Sequence, residues 1–124
     1  MTASDAASDL TGGMFAAIDA KDTEAFVAYL SDDAVFRFGS APAVNGRAAI
    51  RDAVDGFFAT IAGSTHAIAK TLCDGSTRVV EGEVTYTRLD DSQVTLPFTD
   101  VFEYEGDLIA QYKIYIDVSP LYAA

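Results

Sequence analysis

After Ser64 the chain divides into four runs of alternating apolar and polar residues, separated by three short turn signals. The signals are "DGS" at Asp74–Ser76, "LDDSQ" at Leu89–Gln93 and "EGD" at Glu105–Asp107. Glycine tolerates the left-handed turn conformation, and Asp and Ser bond to their own backbone, so such clusters reverse the chain. The runs cover about Thr65–Cys73, Thr77–Leu89, Val94–Tyr104 and Leu108–Val118. Links this short join antiparallel neighbours, because a parallel pair needs a long crossover. Two runs exceed the usual strand of about five or six residues, and a long twisted strand curls.

The first half reads as helix. Ser4 or Asp5 is a candidate N-cap for a segment in which Leu10, Met14, Ala17 and Ile18 recur at helical spacing, although Gly12-Gly13 opposes it. Asp22 suits the N-cap of a short second helix with Phe26, Tyr29 and Leu30 on one face. "DDAVFRFG" follows as a short strand, with Ala34, Phe36 and Phe38 on one side and Val35 and Arg37 on the other. Asn45-Gly46 opens a third helix whose stripe is Ile50, Ala53, Val54, Phe57, Phe58 and Ile61, ended by Gly63. Three helices followed by an antiparallel meander predict an α+β domain over 1–124, with its core at about 10–118 and helices packed on one face of a curved sheet around a concave space.

Charge narrows the partners. Eight basic and 19 acidic residues give −11, which disfavours nucleic acid and anionic membrane surfaces. No apolar run approaches the ~20 residues of a membrane span, and the acidic start "MTASDAASDL" has no signal-peptide core, so a soluble cytoplasmic protein is expected. Cys73 is the only cysteine, so no internal disulfide forms. Phosphate loops and nucleophile elbows are missing, and one His with one Cys makes a zinc site improbable, so neither cofactor nor metal is expected.

One residue breaks the alternation. In "LPFTDVFEYEG" (96–106), Leu96, Phe98, Asp100, Phe102 and Tyr104 share one face of the strand, so a carboxyl stands in an aromatic row with no Lys or Arg beside it. Desolvation should raise its pKa above the usual aspartate value of about 3.9. Asp100 then either donates to a ligand or serves as a structural acid bonded to a tyrosine or backbone amide.

In order and spacing, "DAKDTEAFVAYLSDDAVF", "NGRAAIRDAVDGFF" and "FTDVFEYEGDLIAQYKIYID" resemble the SnoaL-like branch of the nuclear transport factor 2 superfamily, over about Leu10 to Val118. The resemblance implies a cone of three helices against a strongly bent, mainly antiparallel sheet around an apolar pocket. Its relatives include ketosteroid isomerase, scytalone dehydratase, limonene epoxide hydrolase, polyketide cyclases and pocket proteins with no known activity. The isomerase's general base falls at Phe38 and its oxyanion tyrosine at about Met14, so both are absent, while its neutral aspartic acid matches Asp100. The hydrolase aspartate is absent too, because Tyr112-Lys113 is followed by Ile114. Neither reaction transfers.

The candidate catalytic residues are Asp100 and His66, the one histidine, which can act as acid or base or simply pack at a strand end. The candidate ligand-binding residues are Tyr112, Phe38, Phe102, Met14, Phe58 and Tyr86. Two functions stay open. One is a cofactor-independent isomerase, cyclase, dehydratase or hydrolase of a small apolar carbonyl or hydroxyl compound. The other is a non-catalytic ligand-binding or dimerisation module. Relatives commonly pair through the sheet, and Val101 and Tyr115 have outward parity among charges, so a homodimer is expected. Sedimentation at low micromolar concentration should show a dimer; a species of monomer mass alone would remove this expectation.

Overall fold

The computed structural model describes residues 3–123, with side chains from residue 11 onward. Helix α1 (Ala3–Asp19) is followed by α2 (Thr23–Val27), strand β1 (Leu30–Phe38), the two-residue β2 (Val44–Asn45) and α3 (Arg47–Phe58). Strands β3 (Ile61–Asp74), β4 (Thr77–Arg88), β5 (Gln93–Glu105) and β6 (Leu108–Tyr115) form the meander, and a 3₁₀ turn (Ser119–Tyr122) comes last. The strands make one open six-stranded sheet in the order β2-β1-β6-β5-β4-β3. Among the described residues only β1 and β6 pair in parallel. The architecture is the expected α+β cone: three helices against one bent, mainly antiparallel sheet. Among the described residues no helix is long and apolar enough to cross a membrane.

Several boundaries differ from the sequence reading. Ser4 and Asp5 lie inside α1, not at its cap. Leu30 opens β1 and Ile61 opens β3, although both continue an apolar helical stripe. Both are fully buried, so periodicity alone could not separate a helical from an extended placement. The last strand stops at Tyr115 rather than Val118, because the 3₁₀ turn folds back and buries Leu121. Asp22 caps α2 as expected, its carboxylate accepting from the Ala25 N–H at 3.1 Å. Lys21 ends α1 in the left-handed region (φ 56°), and its ammonium donates to the Ile61 carbonyl at 2.9 Å.

Gly13 and Gly82 both stand where a side chain would meet a neighbouring segment. A side chain at Gly13 would meet the Tyr29 hydroxyl, so α1 lies close against the segment after α2. Gly82 faces inward on β4, opposite Ile68, where β3 carries a bulge before Lys70. A methyl group there would drive into the Ala67 backbone carbonyl. The missing side chain therefore allows the sheet to curl at this point. Gly82→Ala should cost at least about 2 kcal/mol in chemical denaturation. Gly56→Ala, on the open face of α3 with nothing within 4 Å, should instead stabilise by up to about 1 kcal/mol. Equal effects of the two changes would refute the role given to Gly82.

Candidate functional site

Cross-strand register assembles the site. Phe38, Ile114, Asp100 and Val80 stand opposite one another across β1, β6, β5 and β4, on the face that looks toward the helices. The neighbouring row is Phe36, Tyr112, Phe102 and Arg78. Tyr112 is thus the diagonal neighbour of Asp100, within reach for a long side chain. Its hydroxyl donates to Asp100 Oδ2 at 3.0 Å. The other oxygen, Oδ1, meets no hydrogen-bond partner among the described residues. Asp100 is only 1% exposed.

A cavity of about 240 Å³ lies between this face and the helices. Its wall is almost wholly apolar, and no Lys or Arg contributes to it. Asp100, His66, Tyr112, Tyr86, Phe38 and Phe58 all line it, so six of the eight sequence candidates come together. Met14 and Phe102 are not among the residues that line it. Met14 is fully buried among core side chains on α1. Phe102 is covered by the Tyr112 ring, stacked on it at 4.5 Å, and by Phe15 standing edge-on at 6.3 Å.

His66 does not pair with Asp100. Its Nδ1 lies 2.6 Å from Asp19 Oδ1, its own backbone N–H donates to Asp19 Oδ2 at 3.0 Å, and Ser64 donates to Oδ1 at 2.9 Å. The ring is held between Phe15 at 4.8 Å and Phe98 at 5.4 Å. Sequence reasoning missed Asp19. A signal was present: an acid at the last position of a helix opposes the helix dipole and needs a partner elsewhere.

Each shifted group has a physical cause. Burial pushes the Asp100 carboxyl up to about 8, and the Tyr112 hydrogen bond only partly offsets it. Burial, reinforced by the nearby Asp100, also raises the hydroxyls of Tyr112 and Tyr86 well above the usual tyrosine value. For Asp19, burial works toward a higher pKa, but the hydrogen bonds and charge of His66, with the Ser64 bond, outweigh it and hold the group below the ordinary value. A neutral carboxylic acid and an Asp-bound imidazole therefore share one apolar wall.

A bent sheet capped by three helices around an apolar cavity is the nuclear transport factor 2-like fold. The sequence matches the SnoaL-like domain family over residues 12–112, and the chain belongs to that family. No curated protein matches it. Among solved structures, it is similar to a nuclear transport factor 2-like protein of unknown function from Burkholderia pseudomallei (TM-score 0.80, 18% identity, covering 91% of this chain and 92% of that one). It is similar to an epoxide hydrolase of M. tuberculosis (TM-score 0.80, 18% identity, 98% of this chain and 90% of that one). A third is a protein of ketosteroid isomerase-like fold from Catenulispora acidiphila, in complex with trimethylamine (TM-score 0.82, 16% identity, 90% and 87%). At these identities the likeness is one of fold.

The Asp100 shift makes stability depend on pH. The folded pKa of about 8 lies above the ordinary 3.8, so the folded state holds the extra proton between these values. Stability from this group is full below about pH 4, declines as pH rises, and is gone above about pH 8, with a slope of at most about 1.4 kcal/mol per unit. Carboxyl-carbon NMR should place the Asp100 midpoint near 8. Asp100→Asn should remove the slope, so its unfolding free energy relative to the parent should improve from about pH 5 to about pH 7. A midpoint at or below the ordinary value would mean the group is solvated or ion-paired.

Proposed function

We propose that the cavity binds a compact, mainly apolar molecule through one carbonyl or hydroxyl oxygen, and that Asp100 and His66 move a proton on it without a cofactor. That chemistry is of the isomerase, cyclase, dehydratase or hydrolase kind. The observation that carries the reading is a buried carboxyl, on a residue that lines the cavity, with one oxygen bound by Tyr112 and the other without a hydrogen-bond partner among the described residues. Tyr112 donates to Oδ2, so in the neutral acid Oδ2 is the carbonyl-type oxygen and Oδ1 carries the proton. Oδ1–H donates to a ligand oxygen, and the bond strengthens as negative charge develops there. His66 in its neutral form donates Nδ1–H to Asp19, which leaves the Nε2 lone pair to accept a proton. The wall has no cation, which supports a neutral ligand over an anionic one.

A second reading, a ligand-binding protein without turnover, is supported by Phe38 and Met14 standing where the related isomerase has its base and its oxyanion tyrosine. In either reading the protein works in the cytoplasm as a homodimer, a state supported by Tyr115, 58% exposed on the outer sheet face.

Acetophenone and ethylbenzene are similar in size and differ in the oxygen. At about pH 7 the ketone should bind at least about tenfold more tightly, a difference of about 1.4 kcal/mol. Above pH 8 an ionised Asp100, facing only the Tyr112 and Tyr86 hydroxyls, repels a carbonyl, and the preference should vanish. Protein-catalysed exchange of the ketone methyl protons in D₂O, lost in Asp100→Asn and His66→Phe, would separate the catalytic reading from simple binding. Equal affinity for ketone and hydrocarbon at about pH 7 would sink both.

A further inference from the structure

We propose that the cavity encloses only the head of its ligand, and that an apolar arm leaves between α3 and the loop joining β1 to β2, with Ala53 setting the width of that exit. The inference rests on the reading above that the cavity takes a mainly apolar molecule, and it names the shape of that molecule.

Exposure locates the exit. Of the residues that line the cavity, all are buried or half-buried except Ala41, Pro42 and Ala53, so the cavity meets solvent at these three. Ala41 and Pro42 belong to the loop between β1 and β2, and Ala53 belongs to α3. A ring contact sets the two rims side by side. Phe38, the last residue of β1, stands 5.0 Å from Phe57, which lies one helical turn after Ala53. Phe57 also stands edge-on to Tyr86 at 5.7 Å, and all three rings line the cavity. The loop is pinned by its own backbone. The Gly39 N–H donates to the Ile114 carbonyl at 2.9 Å, and the Ala41 N–H donates to the Phe38 carbonyl at 3.1 Å. Arg37 Nε donates to the Ala41 carbonyl at 3.1 Å.

The rim residues are short and carry no polar side chain. Alanine and proline cannot fold over a bound molecule, so the exit stays open when the cavity is filled. An arm passing through it meets apolar surface on both sides. The rest of the wall is closed, with Asp100, Tyr112, Phe26 and Phe58 all buried. At about 240 Å³ the cavity is smaller than the ~300–1,000 Å³ of most small-molecule sites, so it encloses a compact head only. Selection is therefore strict for the enclosed head, where extra atoms find no room, and permissive for whatever projects past Ala53. The ligand class this defines is a neutral cyclic or aryl compound with a linear apolar arm.

The test measures, by calorimetry at about pH 7, the affinity of phenyl ketones with straight chains from acetophenone to octanophenone. Each methylene buried should tighten binding about fourfold. Affinity should rise over the first members and then level off, as further methylenes pass the rim into water. Ala53→Trp and Pro42→Trp narrow the exit from its two sides, at exposed positions that tolerate a larger side chain. Each should weaken octanophenone at least about tenfold more than it weakens acetophenone. Ala49→Trp, one turn earlier on α3, exposed and outside the cavity wall, should change neither. Unchanged denaturation midpoints confirm that the variants are folded. If affinity for the parent collapses beyond a certain chain length, or if both rim variants bind octanophenone as the parent does, the exit is overturned while the apolar-ligand reading stands. If no ketone of any length binds, that reading falls and the inference falls with it.

Discussion

A carboxyl group surrounded by aromatic rings must stay neutral or find a cation, and this fold gives Asp100 no cation. The basic side chains are used elsewhere. Arg47 pairs with Asp32 and donates to the Leu30 carbonyl, and Arg51 pairs with Glu24. Arg88 ties down the 3₁₀ turn through the Pro120 and Leu121 carbonyls, and Lys21 holds the start of β3. Each of these contacts fixes a chain junction at the periphery. Among the described residues Asp100 is the one fully buried carboxyl, and the Tyr112 hydroxyl donates to it. That pair in turn fixes the relative placement of β5 and β6, because the Tyr112 ring must lie across Phe102 for its hydroxyl to reach Oδ2. Cavity shape, the raised pKa and the orientation of Oδ1 all follow from keeping that acid dry.

The wall of the site was more legible in the sequence than its second polar group. Period-two alternation is a strong signal on a sheet with one buried face, and it placed Asp100, Tyr112 and Phe38 on the inner side. Phe102 has the same parity, and parity could not show that the Tyr112 ring covers it. Depth under a helix depends on how α1 lies, and α1 owes its close approach to Gly13, which as a sequence letter argued against a helix. The Asp19–His66 contact joins residues 47 positions apart through a helix end and a strand start. No local pattern encodes such a contact; only the unfavourable placement of an acid at a helix C-terminus hinted at it. Leu30 and Ile61 were misplaced for a related reason: a buried residue beside a junction is apolar whichever element it joins.

The curl and the chemistry share one cause. Gly82 removes a side chain from the middle of the inner face and lets β3 fold toward β5, which brings the His66 ring against Phe98. A stiffer residue there would flatten the sheet and separate the imidazole from the rest of the wall.

The parallel pair of β1 and β6 carries a kinetic consequence. Leu30 lies against Ile109, so a strand made early in synthesis waits for one made near the end. Strands β3 to β6 can zip up through local hairpins, but the central seam between β1 and β6 closes only after a long stretch of chain has been ordered, a slow and entropically costly step. Until β6 is in place, β5 and β1 each offer an unpaired edge, and the aromatic rings meant for the cavity are accessible to other chains. Nascent chains should therefore be most vulnerable to misassociation just before β6 emerges from the ribosome. A net charge of −11 is a plain physical safeguard during that interval, since like-charged intermediates repel one another before their edges can meet.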